Sequence, residues 1–155
     1  MNNFENANYS CGDLALIQNI AQTYTEEIKS LLFLQYCMKA HDVKIDFNTE
    51  IDLRLLTVSE LNHLLVSQMS DTFPEPSLTA EIAPKIEIQT LLKQLQKLID
   101  DAKQNIALIN SMHRFIKNKA VKQQLEKFTY GIKSSLEELQ EKEAWLLQAL
   151  QDQKE

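Results

Sequence analysis

The chain has 155 residues, 44% hydrophobic and 25% charged, with a net charge of -6 and a pI near 5.1. That suits one globular domain with a single core, and it argues against a nucleic-acid partner, which needs a basic face. Two glycines and three prolines are too few for the turns of a sheet, so the fold class is all-α.

No apolar run approaches a membrane span, and the N-terminus lacks a basic segment followed by an apolar one. Cys11 and Cys37 form no CxxC pair and read as buried or idle thiols. The expectation is a full-length cytoplasmic protein with no membrane partner.

Residues 1–11 are rich in Asn and without period, which predicts a flexible N-terminal arm. Residues 12–150 are expected to form one four-helix domain. The first helix is predicted over 13–41, with Asp13 as its N-cap after Gly12. Ile17, Ile20, Tyr24, Glu27, Leu31, Leu34, Met38 and His41 follow an unbroken 3-4 spacing, the mark of a bundle seam. A carboxylate in such a seam is costly unless paired, hydrogen-bonded or metal-bound. Glu27 is therefore either a ligand or an acid held by Lys or Gln from a neighbouring helix. His41, at the helix end, is expected to reach water.

The second helix is predicted over 49–70, capped by Asn48 or Thr49, and is apolar nearly all round. Ile51, Leu55, Val58 and Leu65 line one side; Leu53, Leu56, Glu60, His63 and Leu64 line another. Either could meet the core, and only the second would bury Glu60 and His63. The linker over 71–84 holds Pro74, Pro76 and Pro84. Its 14 residues reach roughly 45 Å when extended, enough for a crossover along a 22-residue helix.

The third helix is predicted over 84–117, with Leu92, Leu95, Ile99, Ala102, Ile106, Ile109, His113 and Ile116 on its seam. Asn118 offers a break and a cap. The fourth is predicted over 119–150 along Val121, Leu125, Phe128, Ile132, Ser135, Leu139, Leu146 and Ala149, followed by a polar tail over 151–155. Gly131 within it predicts the close approach of a neighbouring backbone or bulky side chain. His113 reads as a packed or water-bonded histidine. Trp145 reads as a core anchor or part of an oligomer contact.

Ser59-Glu60-Leu61-Asn62-His63 places a carboxylate and an imidazole at i, i+3, on one helix face. The bland reading is a half-buried polar turn; the sharper one is a pair of metal ligands from one turn. Glu27 precedes Glu60 by 33 residues and His63 by 36. With these spacings, the stretch resembles the second-helix ligand turn of bacterioferritin-type di-iron proteins, in the ferritin-like superfamily. Residues 109–125 resemble that family's junction between third and fourth helices. The resemblance covers roughly residues 14–146 and implies an antiparallel four-helix bundle with a longer crossover between the second and third helices.

The departure from the family is in the second half. Where a second ExxH is expected the chain reads Phe128-Thr129-Tyr130-Gly131, and the expected third-helix carboxylate falls near Leu95. A di-metal centre takes about four carboxylates and two imidazoles, and helices one and two offer only Glu27, Glu60 and His63. The expected function is therefore non-catalytic, a binding or structural role in a homo-oligomer or with a protein partner. At most one Fe or Zn ion would be held, by Glu27, Glu60 and His63, while Leu95, Phe128 and Ile132 fill the other half with hydrocarbon. One alternative is an acidic helical chaperone or adaptor that binds a partner through an apolar groove. Another is an active ferritin-like oxidase or store, which would need ligands from a second chain or from Asp100, Asp101 and His113.

Overall fold

A computed structural model of the chain describes residues 11–67 and 86–154, and what it describes is all-helical and bundle-like. Helix α1 spans Cys11–Lys39, α2 Asn48–Ser67, α3 Ile88–Met112 and α4 Lys119–Lys154, with a 3-10 turn over His113–Phe115. Among the described residues there is no strand, and no helix is long and apolar enough to cross a membrane. Of the arm expected over 1–11, Cys11 already belongs to α1; the rest of it, the predicted end of the second helix over 68–70 and the linker over 71–84 lie outside the described residues.

The α1 seam is buried from Ile17 through Met38, Glu27 included. Asp13, expected as a cap, sits inside the first turn because the helix already begins at Cys11. It is buried, and its Oδ2 accepts the Asn118 N–H from the start of α4 at 3.4 Å. At the other end Asp42 takes φ 57°, and the Val43 N–H returns to the Met38 carbonyl at 3.1 Å. This is a left-handed helix stop of Schellman type, in which Asp stands where Gly is commonest.

Neither Asn48 nor Thr49 caps α2 as expected. The Asn48 side-chain oxygen is taken by Gln35 Nε2 at 3.2 Å. Asp46 accepts the Asn48 N–H at 3.1 Å, and Gln35 Oε1 accepts the Phe47 N–H at 2.7 Å. Helix α3 begins at Ile88, after the non-helical Ile86 and Glu87, and so is shorter than predicted. It ends at Met112, and extended Ile116 (φ -72°, ψ 125°) breaks the path beyond the 3-10 turn. Asn118 then caps α4, its Oδ1 accepting the N–H groups of Ala120 at 2.9 Å and Val121 at 3.2 Å. Helix α4 continues to Lys154, past the predicted end at 150.

The core is continuous and carries side chains from all four helices, with Leu34, Met38, Leu61, Leu65, Leu91, Leu95 and Leu139 fully buried. Phe128 and Ile132 are buried with them. Helix α1 packs closely along α2 and α3 along α4, while α1–α3 and α2–α4 meet more sparingly. Gly131 lies at the α2–α4 meeting: a Cβ there would come 3.3 Å from Leu53 Cδ1. That is the bulky neighbour the glycine predicted.

Candidate functional site

Helix α2 settles which of its sides faces inward. Ile51, Arg54, Val58, Leu61 and Leu65, at 3-4 spacing, are buried. Leu56 and His63 on the other side are exposed, and Leu53, Glu60 and Leu64 are half-buried at its edge. Burying Ile51, Val58, Leu61 and Leu65 removes four branched apolar side chains from water, at roughly 1.5–3 kcal/mol each. Turning the helix over would bury Leu53, Leu56 and Leu64 in their stead, a nearly even apolar exchange, together with Glu60 and His63.

The three residues expected to share an ion thus each have a separate environment. Glu27 is 6% exposed, and its Oε1 accepts the Nε–H of Arg54 (3% exposed) at 3.0 Å. Glu60 pairs with Lys127 of α4, Nζ to Oε1 3.2 Å. His63 is exposed. Among the described residues no group of three or more His, Cys, Asp or Glu could hold a metal ion. These donors do not fit a di-metal centre, and the positive charge beside Glu27 is a guanidinium.

That guanidinium is the hub of a buried polar cluster. Arg54 Nη1 donates to the Glu50 carbonyl at 3.0 Å and to Ser135 Oγ at 2.9 Å, so one side chain joins α1, α2 and α4. It also lies over the Tyr24 ring, 5.9 Å from the centroid. One turn earlier on α2, Glu50 is fully buried and accepts two bonds from Lys142 Nζ, at 2.6 and 2.9 Å. The Lys142 ammonium in turn sits 5.3 Å over the Phe47 ring. Buried Thr25, Thr57 and Thr129 return their hydroxyls to the carbonyl four residues back, each at 2.8 Å, and so satisfy themselves.

Burial pushes the Glu27 carboxyl above the usual range and outweighs the downward pull of Arg54's charge and hydrogen bond; Asp101 adds to the rise. Glu138 of α4 is also pushed up, first by burial and then by its hydrogen bond to Glu50 and that group's charge. The cluster is thus a set of charge-assisted clasps across three helices. Breaking a buried pair by removing one partner costs about 3–5 kcal/mol, although the intact pair contributes far less than that net.

Arg54, Glu50, Ser135 and Lys142 were not singled out from the sequence as site residues. A signal was there: Arg54 falls on the same 3-4 spacing as Ile51, Val58, Leu61 and Leu65, so an inward α2 face must bury it. Ser135 and Lys142, seven residues apart, share one face of α4. The remaining histidines are engaged. His113 is half-buried with Nε2 3.0 Å from Glu126 Oε1. His41 is half-buried, contrary to its expected place in water, with Nε2 hydrogen-bonded to the Ile86 carbonyl. Trp145 is 49% exposed and is no core anchor.

Comparison with protein-family models, curated proteins and solved structures finds no match to this chain.

Proposed function

We propose that the chain is a non-catalytic helical-bundle protein of ferritin-like arrangement, with a binding or structural role in the cytoplasm. One observation carries this reading: the buried seam carboxylate Glu27 already has a cation, and the chain itself supplies it as Arg54. The arrangement rests on side-chain pairs. Gln35–Asn48 and Glu27–Arg54 run in opposite directions on α1 and α2, as do Glu50–Lys142, Arg54–Ser135 and Glu60–Lys127 on α2 and α4. With α3 and α4 joined by a short connection and paired through His113–Glu126, neighbouring helices are antiparallel and α2 and α3 point the same way. That is the order of a ferritin-like bundle with one crossover.

An ion held by Glu27, Glu60 and His63 would have to displace Arg54 from Glu27 and Lys127 from Glu60, so it binds weakly. Anaerobic titration with Fe(II) or Zn(II) is expected to bind no more than one equivalent, lost in Glu60→Ala. Two equivalents with rapid oxygen consumption would overturn the non-catalytic reading.

The adaptor reading is favoured by a different observation. Leu56 of α2 and Tyr130 of α4 are large apolar side chains left 57% and 80% exposed on the two helices that meet at Leu53 and Gly131. Sedimentation of the wild type beside Leu56→Ser/Tyr130→Ser separates the two cases. Self-association lost in the double variant assigns the pair to a homo-oligomer, and an unchanged monomer assigns it to a different protein.

A further inference from the structure

We propose that Tyr24 and Glu27 of α1 hold one ordered water molecule inside the bundle. The site shares the Glu27–Arg54 pair with the functional reading above, but a solvent peak and a metal titration test the two separately. Tyr24 Oη and Glu27 Oε2 are both buried and have no hydrogen-bond partner among the described residues. Tyr24 is 3% exposed and Glu27 6%, and they lie one turn apart on the seam. Buried polar atoms in folded proteins are almost always satisfied, by protein or by ordered water.

The two atoms need complementary things. Burial, with Glu27's charge adding to it, holds the Tyr24 phenol far above its ordinary range, so the hydroxyl keeps its proton and can donate. Glu27 Oε2, on a carboxylate bonded to Arg54 through its other oxygen, needs a donor. The groups influence each other electrostatically but make no direct bond. A molecule that accepts one hydrogen bond and donates another closes the gap, and water does both. A metal ion or ammonium would meet the Arg54 guanidinium already neutralising Glu27, so a neutral guest is the one that fits.

On the α3 side, Tyr24 borders a crevice of about 10 Å³ with Leu16, Ile20, Asn105 and Ile109, close to the space of a single water, though Glu27 does not line it. Asp101 of α3 acts on Glu27, so the third helix passes the same level of the bundle.

A crystal structure of the full chain at high resolution tests the site directly. The expected result is a solvent peak within about 3.3 Å of both Tyr24 Oη and Glu27 Oε2. No peak, or a direct bond between the two side chains, overturns the proposal. A peak with six or more oxygen neighbours at about 2.4 Å is a cation and overturns it too. Water-oxygen relaxation dispersion gives a second readout in solution. Tyr24→Phe, which deletes only the donor, should hold one fewer long-lived internal water than the wild type, and an unchanged count would refute the assignment.

Discussion

The two seams where the helix pairs meet are built differently. Along α2–α4 the joins are polar: Glu50–Lys142, Arg54–Ser135 and Glu60–Lys127 follow one another up the seam, and Gly131 admits Leu53 between them. Along α1–α3 the facing walls leave crevices, one at Leu16–Tyr24 against Asn105–Ile109 and one at Lys29–Phe33 against Gln94–Asp101 whose lining is mostly polar. One seam is held by directional bonds that specify register, and the other leaves gaps between its helices. The same Arg54 that bonds Ser135 in the polar seam also pairs with Glu27 across on α1.

Substitutions can break this contrast, and the largest effect is expected at the hub. Arg54→Ala should cost about 3–5 kcal/mol in urea unfolding, because it strands Glu27 and Ser135 in the interior. Glu27→Leu/Arg54→Met should recover most of that loss, since the pair is replaced by hydrocarbon of similar size. A loss below about 1 kcal/mol in Arg54→Ala would mean the α2–α4 seam does not depend on the guanidinium. On the other seam, Ile109→Ala should cost roughly 2–4 kcal/mol from lost transfer energy and a cavity. That cost should be unchanged between low and high salt, as packing is not screened.

Smaller effects sharpen the picture. Glu138 has its folded pKa raised above the ordinary 4.5, so the native state binds its proton more tightly than the unfolded chain. Its favourable contribution is complete at pH below that ordinary value and is lost as pH rises through the raised one. Glu138→Gln should flatten this fall and raise stability at neutral pH, as measured by unfolding midpoints from pH 4 to 8. The smallest effect is at the rim. Lys127 is 64% exposed, and Lys127→Ala should change stability by less than about 0.5 kcal/mol, still less in high salt. A larger cost there would show that the rim pair helps hold the seam.

Much of the fold was legible because it follows from local rules. The 3-4 spacing from Ile17 to Met38 required a buried stripe, Asn118 caps α4, and Gly131 marks a close neighbour. The candidate site was only half legible. Glu27 stood out as an acid in an apolar seam, with ligation and a partner from a neighbouring helix equally open. The expected partner is a Lys or Gln, and the structure supplies Arg54.

By itself the sequence determined the helical class, the inward stripe of α1 and the presence of a buried carboxylate at Glu27, because periodicity and burial act within one element. Only the tertiary structure decided the rotation of α2. That helix is apolar on nearly every side, so its own pattern favours no face. The choice falls to its neighbours: α1 offers Glu27 to Arg54, α4 offers Ser135 and Lys142 to Arg54 and Glu50, and together they turn Glu60 to the rim and His63 into solvent.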